Sequence, residues 1–404
     1  MGTATSGEAG AKPGFLGRER SIAAPGYNRW LVPPAALAVH LSIGEVYAFS
    51  VFNLPLTRLL GVTESAPGDW TLTDVGWVFS LAIVVLGLSA ALFGSWLERA
   101  GPRKAMAAAA ACFGGGFLVA AAGVHLHQIW LLYLGYGLLG GVGLGIGYIS
   151  PVSTLIKWFP DRPGLATGLA IMGFGGGAMI GSPLSEWLMR QFHTPDSAGV
   201  AETFAVLGLV YAAFMTFGVL TVRLPPPGWK PAGFTARAGT SAAAGLTPDE
   251  AVRTPQFWLL WAVLCLNVTA GIGVLGQASP MIQEMFPGRV TAAAAAGFVG
   301  LLSLFNMAGR IGWSSFSDRI GRKPTYAVFF LLGTILYALT PQTGRLGSVA
   351  LFVLGYGVIM SMYGGGFATI PAYLRDRFGV SYVGAIHGRL LTAWSVAGVA
   401  GPVL

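Results

Sequence analysis

Apolar stretches of roughly 20 residues follow one another from residue 30 to the end of the chain, and a membrane is the solvent that accommodates such a series. Each is long enough to cross about 30 Å of hydrocarbon as a helix. Where no water is present, backbone amides and carbonyls must pair within the segment, which selects helices over loops or open sheet edges. The spans read near 30–54, 72–96, 105–124, 129–156, 163–188, 202–222, 255–283, 291–315, 325–340, 347–371 and 382–404. Only 10% of the residues are charged, against about 25% in a soluble domain. The 60 glycines sit mostly inside the runs, where small residues let helix backbones approach. An all-α membrane protein is expected.

A net charge of +8 could suggest a nucleic-acid binder, so the placement of charge decides. Arg310 and Arg389 lie within spans, and Arg58, Arg190, Arg289 and Arg345 occupy loops on one side. The other eighteen of the 24 Lys and Arg fall in the N-terminal tail and the loops of the opposite side. That bias follows the positive-inside rule and predicts a multi-pass protein of the plasma membrane with a cytoplasmic N-terminus. It accounts for the basic character without nucleic acid. Cys112 and Cys265 fall inside spans with no metal or redox spacing and read as packing residues. Residues 1–28 lack a signal-peptide core. The opening "MGTATS" matches a loose acylation pattern that a chain with many spans has little use for.

The chain repeats itself. "GSWLERAGPRK" (94–104) returns as "SSFSDRIGRK" (314–323), so that Glu98, Arg99 and Gly101 become Asp318, Arg319 and Gly321, each 220 residues on. "LGYG" at 134–137 returns at 354–357, Pro151 maps to Pro371 and Gly168 to Gly388 with the same shift. A constant offset over three helix pairs implies two six-span halves in parallel repeat. The expected divisions are a tail (1–29), an N-terminal bundle (30–223), a Pro/Gly/Ala-rich linker (224–252) and a C-terminal bundle (253–404). Twelve spans are needed and the sequence stops inside the eleventh, so a twelfth is expected beyond residue 404.

The two acidic–Arg–x–Gly loops resemble the signature loop of the major facilitator superfamily. The first copy departs from it with Glu98 for Asp and Pro102 for a basic residue, the second with Ser314 for the leading Gly. The resemblance implies a major facilitator fold and gives Glu98, Arg99, Gly101, Asp318, Arg319 and Gly321 a role in holding and releasing the halves.

Within span 8, Arg310 lies eight residues before Asp318, a depth of about 12 Å at 1.5 Å per residue. An arginine there costs several kcal/mol unless it faces a cavity or a partner, and it cannot escape by losing its proton. Asn306, four residues earlier, shares its helix face. A planar guanidinium in a central cavity suits a carboxylate; the alternative is an arginine locked to protein partners. "VRTPQFWLLW" (252–261), "KWFPDRPGLATG" (157–168), "GEVYAFSVFNLPL" (44–56) and the Asn306–Arg310 pair are similar to the oxalate/formate antiporter family, itself related to the monocarboxylate transporters. That resemblance implies a carrier of small carboxylates with an aromatic cage around a cation. By position it assigns Tyr47, Tyr148 and Arg310 to the pocket, with Tyr363 and Phe367 where the family has a tryptophan and a tyrosine.

One departure bears on the substrate. Where the oxalate antiporter has a lysine in span 11, this chain has Trp394. A single cation neutralises one carboxylate and would leave a second buried without a partner. Charge matching therefore favours a monocarboxylate such as lactate, pyruvate or formate. Arg389 is expected to reach for the cytoplasmic surface. A carboxyl group out of water favours its protonated form, so Glu45, two residues from Tyr47, is the candidate proton carrier. Its alternatives are a neutral carboxyl bonded between helices or an ion partner for Arg310. His387 and His40 are possible relays. No Walker loop, metal cluster or nucleophile–base pair is visible, and "GLLGGVGLGIGY" (137–148) has neither the strand nor the helix start of a nucleotide site. The expectation is a carrier, not an enzyme, with no cofactor, taking a small carboxylate with a proton or counter-anion and acting as a monomer. Strict oxalate/formate exchange without a proton, and a non-transporting sensor on a carrier fold, are the alternatives.

Overall fold

The computed structural model describes residues 14–233 and 245–403. Residues 1–13 of the expected tail, with the "MGTATS" start, and 234–244 of the expected linker lie outside the described residues. The rest is helical, with isolated bridges as the only β-pairing among the described residues. Nine helical stretches there are long and apolar enough to span a membrane. The eighth span, Ala292–Ile320, and the eleventh, Val383–Leu390 followed by Thr392–Val403, complete the series. Asn306, Arg310 and four serines between residues 303 and 317 dilute the apolar character of the eighth.

The sequence repeat carries through to the helix ends. The second span, Leu72–Ala100, matches the eighth, each end displaced by 220 residues. The third, Pro102–His125, matches Arg322–Arg345, and the fourth, Ile129–Trp158, matches the tenth, Val349–Phe378. The fifth, Pro163–Phe192, starts 220 residues before Val383 of the eleventh. Gly101 and Gly321 close the second and eighth spans at φ of 87° and 94°. A side chain is strained at such angles, so both copies of the loop need glycine to turn directly into the next helix.

Packing between the halves follows the same symmetry, the second span lying against the eleventh and the eighth against the fifth. A β-carbon at Gly168 would come 2.7 Å from the carbonyl oxygen of Arg310, and one at Gly388 would come 2.2 Å from that of Ala90. These are equivalent contacts: Gly168 and Gly388 are repeat mates, as are Ala90 and Arg310. The central cation therefore exists in one half only.

Two spans change helix type along their length. The first, Arg29–Ala48, tightens to a 3₁₀ turn over Gly44–Ala48. The fourth widens to a π-helix over Tyr133–Gly140, a distortion often found at functional positions.

Candidate functional site

Arg310 is fully buried at the centre of the molecule. Its Nε donates to Asn306 Oδ1 at 2.9 Å and its Nη1 to the carbonyl of Ile171, across the interface on the fifth span, at 3.2 Å. Among the described residues, Nη2 makes no hydrogen bond of ordinary geometry, and neither does Asn306 Nδ2. The side chain makes no ion pair among the described residues. A buried charge normally has its donors satisfied and a counter-charge nearby; here one face of the fork is left over.

Aromatic rings from both halves enclose it. The guanidinium carbon lies 5.5 Å from the Phe174 ring and 5.3 Å from that of Phe367, within cation–π reach. Trp394 packs 4.4 Å from Phe367 and 5.2 Å from Phe174, and Tyr148 lies 5.3 Å from Trp394. The hydroxyls of Tyr47 and Tyr148 both lie within electrostatic reach of Arg310, though Tyr148 Oη makes no hydrogen bond of ordinary geometry. Trp394 Nε1–H is likewise unpartnered and buried. The structure thus brings together Asn306, Arg310, Tyr47, Tyr148, Tyr363, Phe367 and Trp394. Phe174, embedded in the glycine run of the fifth span, was missed in the sequence; an aromatic among packing glycines was the available signal.

Above this cage a vestibule of about 560 Å³ opens on the side away from the Lys/Arg-rich loops. Val46, Tyr47, Asn53, Trp77 and Leu275 are among its walls. At its floor the Tyr47 and Tyr363 hydroxyls share a 2.7 Å hydrogen bond across the two halves. The basic side is closed. Asp318 accepts from the backbone N–H groups of Gly164 and Leu165 at 3.1 and 3.3 Å, capping the fifth span from the other half. Its repeat mate Glu98 sits against Gly384 and accepts from Ser153 at 2.7 Å and Lys157 at 2.5 Å. Thr167 Oγ1 donates to the carbonyl of Ala368 at 2.6 Å and Arg375 to that of Pro160 at 2.9 Å. Arg99 and Arg319 stay on the surface.

The proton candidates fall elsewhere. The 3₁₀ turn sends Tyr47 toward the cage, while Glu45 accepts from Tyr136 Oη of the π-helix at 3.3 Å. Its other oxygen has no partner and it forms no ion pair with Arg310. His387 lies 5.9 Å from the Tyr148 ring, both its nitrogens buried without partners. His40 Nε2 pairs with the Tyr148 carbonyl at 3.0 Å. Arg389 reaches Asp249, ahead of the seventh span, at 2.6 Å.

A family model described as Major Facilitator Superfamily matches residues 28–402. The chain belongs to that superfamily. It is therefore a transporter built into a membrane by many spans, in a family of carriers and not of enzymes. It is 27% identical over 383 residues to the oxalate:formate antiporter of Oxalobacter formigenes, covering 93% of this chain and 83% of that one. It is 24% identical over 378 residues to apicoplast pyruvate carrier 1 of Toxoplasma gondii, covering 80% and 68%. Among solved structures, the human organic anion transporter MFSD10 aligns with a TM-score of 0.63 over 94% of this chain and 93% of its own, at 16% identity. At that identity the likeness is one of fold.

Proposed function

We propose that this member of the superfamily carries small monocarboxylates across the plasma membrane by alternating access, with the N-terminus in the cytoplasm and the carboxylate held by Arg310. One observation supports the reading above all: a fully buried guanidinium, paired with no carboxylate among the described residues, with one amino group that makes no hydrogen bond of ordinary geometry inside a cage drawn from both halves. A carboxylate would take Nη2 and the neighbouring Asn306 Nδ2, with Tyr148 Oη and Trp394 Nε1–H as neutral donors for further oxygens. Trp394 carries no charge, so a second carboxylate would enter uncompensated. Similarity to a pyruvate carrier agrees with a monocarboxylate.

In proteoliposomes, Arg310→Gln and Arg310→Lys should both lose uptake by at least about tenfold, because an ammonium does not reproduce the planar fork. Wild-type uptake by Arg310→Gln would remove the site. Similarity to the oxalate:formate antiporter supports a second reading, exchange without a proton, and counterflow with oxalate as the sole anion separates the two.

Coupling to a proton is assigned to Glu45. Its carboxyl group is buried, has one weak donor and no cation, an environment suited to the neutral form. Because it shares a 3₁₀ turn with Tyr47, its protonation acts on the vestibule floor and not on the substrate directly. Glu45→Gln should abolish pH-driven uptake and spare exchange.

A further inference from the structure

Three partly buried arginines of this chain each pair with a carboxylate. Arg29 pairs with Asp161, Arg322 with Asp318 and Asp376, and Arg389 with Asp249. Arg103, only 4% exposed, makes no ion pair among the described residues. Its Nη1 makes a 3.4 Å bond to the Phe15 carbonyl, its guanidinium carbon lies 4.9 Å over the Phe15 ring, and its Nε has no partner. The charged groups that act on it are of its own sign: Arg20 and Arg223. Glu98, five residues away, is held by Ser153 and Lys157, and Glu19 is exposed and bonds to none of the three among the described residues. The convergence is built by the backbone. Ser21 and Ala23 pair with Leu224 through bonds of 2.7 and 2.8 Å, drawing the N-terminal segment and the end of the sixth span, Val200–Thr221, together. Like charges gathered around a buried, half-satisfied guanidinium destabilise the fold unless an anion joins them.

We propose that Arg20, Arg103 and Arg223 form a site for the headgroup phosphate of an anionic phospholipid. Guanidinium groups are suited to phosphate, which accepts from several forks at once. The position selects a lipid as its carrier. Arg103 is the second residue of the third span and Arg223 follows the sixth by two residues, so the site lies at the membrane–water boundary. Phe217 and Leu220, within two turns of Arg223, are each 50% exposed toward the acyl region. Phe15 and Ile22 of the N-terminal segment are 49% and 38% exposed beside the arginines. A phosphate among the arginines with its chains along those side chains satisfies both halves of this surface, and basic residues at such a boundary gain further from the anionic surface.

The test uses the whole chain purified in an uncharged detergent, with phosphatidylglycerol, phosphatidylcholine and inorganic phosphate as separate probes. Phosphatidylglycerol should remain bound in native mass spectrometry and raise the unfolding temperature, and the other two should do neither. Arg103→Gln should cut phosphatidylglycerol retention about tenfold, equivalent to about 1.4 kcal/mol. Because Arg103 also packs on Phe15, and Arg223 also bonds the carbonyls of Leu220 and Val222, the exposed Arg20→Gln is the second arm. It should lose retention by several-fold while the lipid-free unfolding temperature stays unchanged. Equal retention of phosphatidylcholine, retention unaltered in both variants, or the same thermal shift from inorganic phosphate would each overturn the lipid site.

Discussion

Arg310 differs from its repeat mate Ala90 by a full charge at an equivalent contact between the halves, and that difference breaks the symmetry of the scaffold at its centre. Its depth and its pairing with Asn306 four residues earlier were legible, because helical rise and the i, i+4 relation are fixed by geometry. Phe174 and Tyr136 were not. An aromatic in an apolar span reads the same whether it faces lipid, core or ligand, and only the fold decides between them. Trp394 is where residue chemistry is most open to test. Trp394→Lys places a second cation in the cage, so oxalate should gain about tenfold over pyruvate in competition for uptake, the scale expected of one added charge-assisted bond. An unchanged preference would place the indole outside the site. Losing both anions while keeping the wild-type unfolding temperature would mean that two cations repel more than one dicarboxylate compensates.

At the scale of elements, the repeated loops were readable in advance because they combine a glycine required by positive φ with an acidic residue in the last turn of the preceding helix. What each acid touches was not readable. Asp318 caps the fifth span of the other half, whereas Glu98, one methylene longer, reaches instead to Lys157 and Ser153. The 3₁₀ and π segments of the first and fourth spans also escaped the sequence, since apolar spans hold their backbone bonds in any helical form. A carboxylate at a helix N-terminus is favourable by about 0.3–1 kcal/mol or more when partly buried. Asp318→Ala should therefore loosen the basic side. In a chain lacking Cys112 and Cys265, alkylation of Thr369→Cys from that side should speed up several-fold, and an unaltered rate would remove the cap from the closing contacts. Beside it, burial alone would raise the Asp161 carboxyl, but two hydrogen bonds from Arg29 at 2.7 and 3.0 Å hold it below the usual carboxylate range. A depressed folded value means stability present above the ordinary carboxylate pKa and lost as pH falls through the folded one. Asp161→Asn should flatten that acid limb of the unfolding-temperature profile; the same limb in the variant would assign it to other carboxylates.

Taken whole, the molecule is closed at one end and open at the other, with its one central cation sealed between. Two halves in parallel repeat allow the closed and open ends to exchange by rocking about the midplane, and the contacts differ in kind at the two levels. The basic side is held by a helix cap, Thr167 on the Ala368 carbonyl and Arg375 on that of Pro160. The vestibule floor is held by the hydroxyl pair of Tyr47 and Tyr363 and by packed rings. On the proposed carboxylate site, a thin floor over a many-bonded base predicts that ligand reaches Arg310 from the vestibule while the base stays shut. Fixing the base with a cross-link between Thr167→Cys and Ala368→Cys, in the chain lacking Cys112 and Cys265, separates binding from movement. Pyruvate should still protect the locked chain against heat, uptake should fall to background, and reduction of the link should restore it. Uptake persisting through the lock would show that these halves do not rock at this joint. Lost protection that returns on reduction would show that the floor and the base open together and not in turn.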